Sequence, residues 1–169
     1  YLYLYHTGSS TPLWISSESF SGGYDNVDIS ADGSFIVASK PGSGYQPLYV
    51  YHRSSIEPFY SYRQYYYPQT IDLSDDGQYF AAMDVYDLRF FSISQEGGEK
   101  LWSKSFGNGW VNDDYVQVDV NADGSYIAAV SHSYGIHYYD RDGTLLWDHD
   151  DNDGNFRRVS LSDDGRVVT

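Results

Sequence analysis

The sequence contains no cysteine and a single methionine, and its Lys and Arg residues number 10 against 24 Asp and Glu. Without cysteine there are no disulfides and no thiolate metal sites, and the redox compartment is left open. The shortage of cations gives a formal net charge of -14 and a pI near 4.3. Such a chain repels phosphate backbones and anionic membrane surfaces, so nucleic acid is not an expected partner and cations or basic partners fit better. No apolar run approaches the length needed to span a bilayer, so no membrane insertion is expected. Tyr1 to Tyr5 reads as a strand rather than as part of a signal peptide. Helical periodicity is absent. Nucleophile elbows, Walker loops and zincin helices are absent too, and Gly107-Asn108-Gly109 lacks the third glycine and the helix of a dinucleotide fingerprint.

What the chain has instead is a phrase written four times. VDISADGSFIVAS begins at Val27, IDLSDDGQYFAAM at Ile71, VDVNADGSYIAAV at Val118, and a shorter VSLSDDGRVVT at Val159. The glycines of the Asp-Gly step, Gly33, Gly77, Gly124 and Gly165, are spaced by 44, 47 and 41 residues. That period belongs to four-stranded propeller blades rather than to helical repeats. Tyrosine supplies 19 residues and aromatics 18 % of the chain, so burial is expected from stacked sheets with aromatic faces. The expected class is all-β.

Each unit parses into strands A to D from the ring centre outward. In the third unit these are 115–120, 125–130, 135–140 and 144–149, with Asp-Gly turns at Asp123-Gly124 and Asp142-Gly143. Strands B, C and D of the second unit are 78–83, 87–92 and 99–105, and those of the first are 34–39, 46–51 and 57–63. An aromatic recurs in strand D at Trp14, Tyr60, Trp102 and Trp147, and is read as a blade-to-blade packing residue, with Trp102 and Trp147 expected to be largely buried. The chain thus divides into a half-blade 1–18, blades 24–63, 68–105 and 112–149, and a half-blade 156–169, all in one propeller domain. The first half-blade offers strands C and D, the last offers A and B. Three closures follow: a four-bladed ring within one chain, an eight-bladed ring made by two copies exchanging terminal half-blades, or a piece of a longer propeller.

The phrases S-A-D-G-S-[FY]-I-[AV]-A, the D-x-D-G turn at Asp140 to Gly143 and G-x-L-L-W at Gly143 to Trp147 resemble the WD40-like and PQQ-like β-propeller repeat proteins. The resemblance covers essentially the whole chain. It implies the fold and leaves function open, because propellers host scaffolds, lectins, hydrolases and quinoprotein dehydrogenases alike.

Comparison of the units separates scaffold from site. The A-B turns hardly vary, as chain-reversing turns should. The D-A and B-C connections, which share the opposite face, vary in length and chemistry, and function is expected there. That face gathers Tyr24, Tyr45, Tyr65, Tyr66, Tyr86, Trp110, His132 and Tyr134 beside Asp84, Asp87, Asp113 and Asp114. Rings next to carboxylates suit stacking on sugars or gripping the Lys and Arg of a protein.

Two acidic groups invite a metal reading. Asp148, Asp150, Asn152 and Asp153 place oxygens near one another, but the segment lacks the glycine and the glutamate of a calcium loop, so a solvated acidic loop is the simpler expectation and Ca²⁺ the alternative. Strand A carries Asp28, Asp72 and Asp119, replaced by Ser160 in the last unit. These could hold a cation on the ring axis, or bond the backbone of the next blade, which is the expectation. The histidines show no zinc spacing. No cofactor is expected. The reading from sequence is a non-enzymatic binding or scaffold module that presents an aromatic and acidic loop face to a protein or glycan partner, in an extracellular or cell-surface setting. The alternative is a fragment of a PQQ-type quinoprotein or of a glycan-acting propeller enzyme.

Overall fold

A computed structural model describes residues 1–18, 26–40, 45–106, 115–132, 134–149 and 156–168. The described residues form strands β1 (Tyr3–Tyr5), β2 (Pro12–Ile15), β3 (Asn26–Ile29), β4 (Phe35–Ser39), β5 (Gln46–His52), β6 (Tyr60–Gln64), β7 (Thr70–Leu73), β8 (Tyr79–Met83), β9 (Asp87–Ser94), β10 (Gly97–Ser105), β11 (Val116–Val120), β12 (Tyr126–Ser131), β13 (Gly135–Asp140) and β14 (Leu145–His149). Consecutive strands pair antiparallel into three four-stranded sheets, β3 to β6, β7 to β10 and β11 to β14, here called blades 1, 2 and 3. A two-stranded hairpin, β1-β2, precedes them, and a bridge between Leu161 and Val168 closes a hairpin after them.

The repeated phrase accounts for the local structure. In each A-B turn a Ser or Asn side chain receives the N–H of the first strand B residue: Phe35 to Ser30 Oγ at 3.1 Å, Tyr79 to Ser74 Oγ at 3.0 Å, Tyr126 to Asn121 Oδ1 at 2.8 Å, Val167 to Ser162 Oγ at 3.0 Å. The aspartate two residues on caps the turn from the other side, and the glycine takes φ near +70°. Four identical turns therefore need Ser/Asn, Asp and Gly at fixed offsets, which is why the phrase is nearly invariant.

Strand B lies between sheets and is buried on both faces, which explains the continuous apolar runs FIVAS, YFAAM and YIAAVS. Val37, Leu48, Phe80 and Phe91 share the core between blades 1 and 2; Met83, Phe90, Val118 and Ile127 share that between blades 2 and 3. Strand D is outermost and alternates or is exposed. Its Leu-Trp step carries a bulge wherever it occurs. Leu13, Leu101 and Leu146 are each skipped in the register beside Trp14, Trp102 and Trp147, and each is exposed. The bulge expels the leucine and re-aims the indole.

Of the three closures named above one is not formed, and one expectation of burial is corrected. The ends do not close a four-bladed ring within the chain: among the described residues β1 pairs with β2 and Val168 with Leu161. Among the described residues the sheets do not close into a ring, and the blades form an open arc. Trp147 is 39 % exposed rather than buried, because among the described residues no turn carbonyl meets its indole as Arg53 O meets that of Trp14 and Arg141 O that of Trp102.

Candidate functional site

The residues that recur at equivalent positions serve the joints between blades. Leu73 N–H donates to Asp28 Oδ2 at 2.7 Å and Val120 N–H to Asp72 Oδ2 at 2.6 Å; Leu161 N–H donates likewise to Asp119. The strand A acids thus bond the next blade's backbone, and line a polar cavity of about 250 Å³ on the inner side of the arc. Burial is the main reason that the Asp72 carboxyl is pushed up to about 8, with the neighbouring Asp119 charge next. Asp28 is raised too, again chiefly by burial. Both carboxyls therefore hold a proton to a higher pH than a free carboxylate does. Among the described residues no three His, Asp or Glu converge as metal ligands.

Strand D and the A-B glycines complete the joints. Trp14 Nε1 donates to Arg53 O at 2.6 Å and Trp102 Nε1 to Arg141 O at 2.8 Å. Rings also lie against glycines, where a Cβ would clash at four positions, Phe35 on Gly77, Tyr60 on Gly98, Tyr79 on Gly124 and Tyr126 on Gly165, and would crowd Trp102 at Gly143.

The variable face holds a different arrangement. Tyr45, just before β5, meets Tyr65 edge to face with centroids 5.5 Å apart; Tyr65 meets Tyr66 at 4.8 Å; Tyr66 meets Tyr86 at 4.2 Å. The four rings form one chain across the loops of blades 1 and 2. Tyr45 is 71 %, Tyr65 55 % and Tyr66 41 % exposed, while Tyr86 is half-buried. A hydrogen bond between the phenols of Tyr66 and Tyr86 raises the Tyr66 pKa.

The acids on this face are already engaged. Asp84 is 1 % exposed; its Oδ1 accepts the N–H groups of Tyr86 and Asp87 at 2.8 and 2.9 Å, and its Oδ2 pairs with Arg89 at 2.7 Å. Asp87 holds the other arm of Arg89 at 2.6 Å. These carboxylates shape the turn that carries Tyr86 and are not free for a ligand.

Other expected residues lie apart. Tyr134 is half-buried and packs on Phe106 with centroids 6.4 Å apart. His132 is half-buried and its N–H donates to Tyr115 O at 3.2 Å. Asp148 is exposed on β14. Tyr24, Trp110, Asp113, Asp114, Asp150, Asn152 and Asp153 lie outside the described residues.

A feature of this face that sequence reasoning missed is a cavity of about 450 Å³ at the starts of β7 and β11, lined by Gln69, Thr70, Tyr115, Gln117, Arg157 and Arg158. Arg157 lies over the Tyr115 ring at 4.6 Å. The signal available was the Arg157-Arg158 pair, conspicuous in a chain with 10 basic residues.

No protein family matches the chain by sequence, and no curated protein does. Among solved structures it is similar to the Swd1 β-propeller domain from Myceliophteria thermophila, at 16 % identity and a TM-score of 0.56. The match covers 73 % of this chain and 42 % of that one. The likeness shows the fold: a β-propeller of four-stranded antiparallel blades, as the repeat implied.

Proposed function

We propose that the protein is a non-enzymatic binding module whose loop face recognises a protein partner through the ring chain Tyr45, Tyr65, Tyr66 and Tyr86. The observation that carries this reading is that these rings touch in series yet remain in water, at 71 %, 55 % and 41 % exposure for the first three. Exposed aromatic surface costs about 25 cal/mol per Å² of hydration that a partner would relieve. Clustered rigid tyrosines are the side chains most enriched where binding energy concentrates. The charge of -14 favours a partner segment rich in Lys or Arg, whose cations would sit over the rings. A glycan stacked on the same rings is the second reading, favoured by their exposure.

Arrays of basic peptides and of glycans, probed with the wild type, Tyr65→Ala/Tyr66→Ala and the opposite-face control Gln78→Ala, test this. Binding retained by the control and lost by the tyrosine variant supports the reading. Binding that survives the tyrosine changes removes the face from consideration, and glycan spots alone responding would replace the protein partner by a sugar.

A further inference from the structure

We infer that the cavity at the starts of β7 and β11 is an anion site that takes a phosphate group, held by the guanidinium groups of Arg157 and Arg158. The inference does not rest on the tyrosine chain.

The repeat shows why this spot differs from its equivalents. The residue just before the repeated phrase is Asn26, Thr70, Gln117 or Arg158. Where it carries an amide it ties its unit to the next one: Asn26 Nδ2 donates to Pro68 O at 2.9 Å, and Gln117 Oε1 accepts the Val159 N–H at 3.3 Å. Thr70, Gln117 and Arg158 line one cavity, and Arg157 joins them there. Two of the chain's 10 basic residues thus meet in a single place. No lining residue is acidic, although the chain has 24 Asp and Glu.

The side chains are set up to donate. With its Oε1 bonded to Val159, the Gln117 amide has its NH₂ as the end left to donate. The Arg157 guanidinium carbon lies 4.6 Å from the Tyr115 ring centroid, a contact that steadies a long side chain. Among the described residues neither Arg157 nor Arg158 is paired with a carboxylate, and both are exposed. Guanidinium forks match the oxygens of an oxyanion two at a time. Two cations at one cavity are balanced by a group with two charges, and a phosphate monoester carries about -1.5 to -2 at pH 7 with three acceptor oxygens. The volume of about 450 Å³ lies in the usual range of ligand pockets, so there is room for whatever carries the phosphate. The total charge of -14 does not forbid this, because at physiological salt a charge is largely screened beyond about 8 Å. The strand A carboxylates of Asp72 and Asp119 line a different cavity and are bonded to Val120 and Leu161.

Isothermal titration calorimetry of the full chain at constant ionic strength tests this with inorganic phosphate, phenyl phosphate and succinate as probes. The two phosphates should bind the wild type more tightly than succinate does. Arg157→Gln and Arg158→Gln should each weaken phosphate binding about tenfold or more, as the loss of a charged hydrogen bond does. Arg157→Lys should fall between, because it keeps the charge and loses the fork. Lys100→Gln, the same change of charge on the outer strand β10, should bind as the wild type does. Both arginines are exposed, so circular dichroism should show every variant folded. Phenyl phosphate binding more tightly than inorganic phosphate assigns the site to a phosphate carried on a larger molecule, and the reverse order assigns it to free phosphate; both uphold the inference. Tighter binding of succinate overturns it in favour of carboxylates. Absence of phosphate binding at millimolar concentration overturns it outright, as does equal weakening by Lys100→Gln.

Discussion

Asp72 and Asp119 occupy equivalent strand A positions in neighbouring blades, and Asp72 bonds Val120, the residue following Asp119, at 2.6 Å. The cost of burying its charge, and then the nearby Asp119, push Asp72 up to about 8 from a model-peptide value of 3.8. Between these two values the folded state binds a proton that the unfolded chain has released, so stability falls as pH rises through this window. The A-B turn acids act oppositely. Bonds from the Ser34 hydroxyl and then the Ser34 N–H lower Asp32 to about 2, and Asp123 and Asp164 are lowered by the same means. Their contribution is present above about 4 and is lost as pH falls toward 2. The denaturation midpoint should therefore be highest near pH 4 to 5 and decline toward 8. Asp72→Asn, which can accept from Val120 and donate to Asp119 as the protonated acid does, should flatten that decline. A wild-type midpoint level between pH 5 and 8 would contradict the assignment.

Gly124 and Tyr79 test the glycine slots. A Cβ on Gly124 would lie 2.5 Å from the Tyr79 ring at a φ of +67°. Gly124→Ala should cost about 1 kcal/mol for the backbone and a further ~1–3 kcal/mol for overpacking. In a Tyr79→Ala background the second part should vanish, leaving a coupling well above the additivity error of about 0.3–0.5 kcal/mol. Additive urea midpoints would mean that the ring moves aside freely.

Trp102 and Trp147 are the same repeat position with and without a turn carbonyl bonded to the indole among the described residues. Trp102→Ala should lose about 3–5 kcal/mol, the usual range for emptying an aromatic site. Trp102→Phe keeps most of the packing, and should lose about 1 kcal/mol with the bond to Arg141. Trp147→Ala should cost less than Trp102→Ala. Equal losses at both positions would mean that Trp147 is packed by something within its own blade.

The fold was legible because its signals are local and repeated. Ser or Asn, Asp and Gly at fixed offsets specify a turn that hydrogen-bonds within five residues, so most strand boundaries fall within a residue or two of those read from the spacing. Strand β6 begins at Tyr60 rather than 57 because Glu57 and Pro58 finish the preceding turn. Trp147 was misjudged because burial of strand D is decided by its contacts across the joint, which sequence period does not show. The site was less legible. Asp84 and Asp87 read as ligand-facing acids, and only the fold reveals that Arg89, two residues past Asp87, takes up both. Tyr65 and Tyr86 are 21 residues apart, and nothing in the chain announces that Tyr66 joins them.

Asp84 connects stability to the recognition face. Its carboxylate is buried, holds two N–H groups of the turn at Tyr86 and Asp87, and neutralises Arg89, whose side chain is 10 % exposed. Asp84→Ala would orphan two backbone donors and leave the buried guanidinium with Asp87 alone, and breaking such a pair from one side costs about 3–5 kcal/mol. Arg89→Met breaks the same pair from the other side and leaves Asp84 without its cation, but it keeps the two turn bonds to Asp84 and fills similar volume. Both changes leave the four tyrosines in the chain, so they separate ring placement from ring identity. If the turn positions Tyr86 against Tyr66, Asp84→Ala should weaken binding at a temperature where circular dichroism shows the propeller folded, whereas Arg89→Met should bind nearly as wild type does. Undiminished binding by folded Asp84→Ala would mean that Tyr45, Tyr65 and Tyr66 suffice and that Tyr86 only supports them.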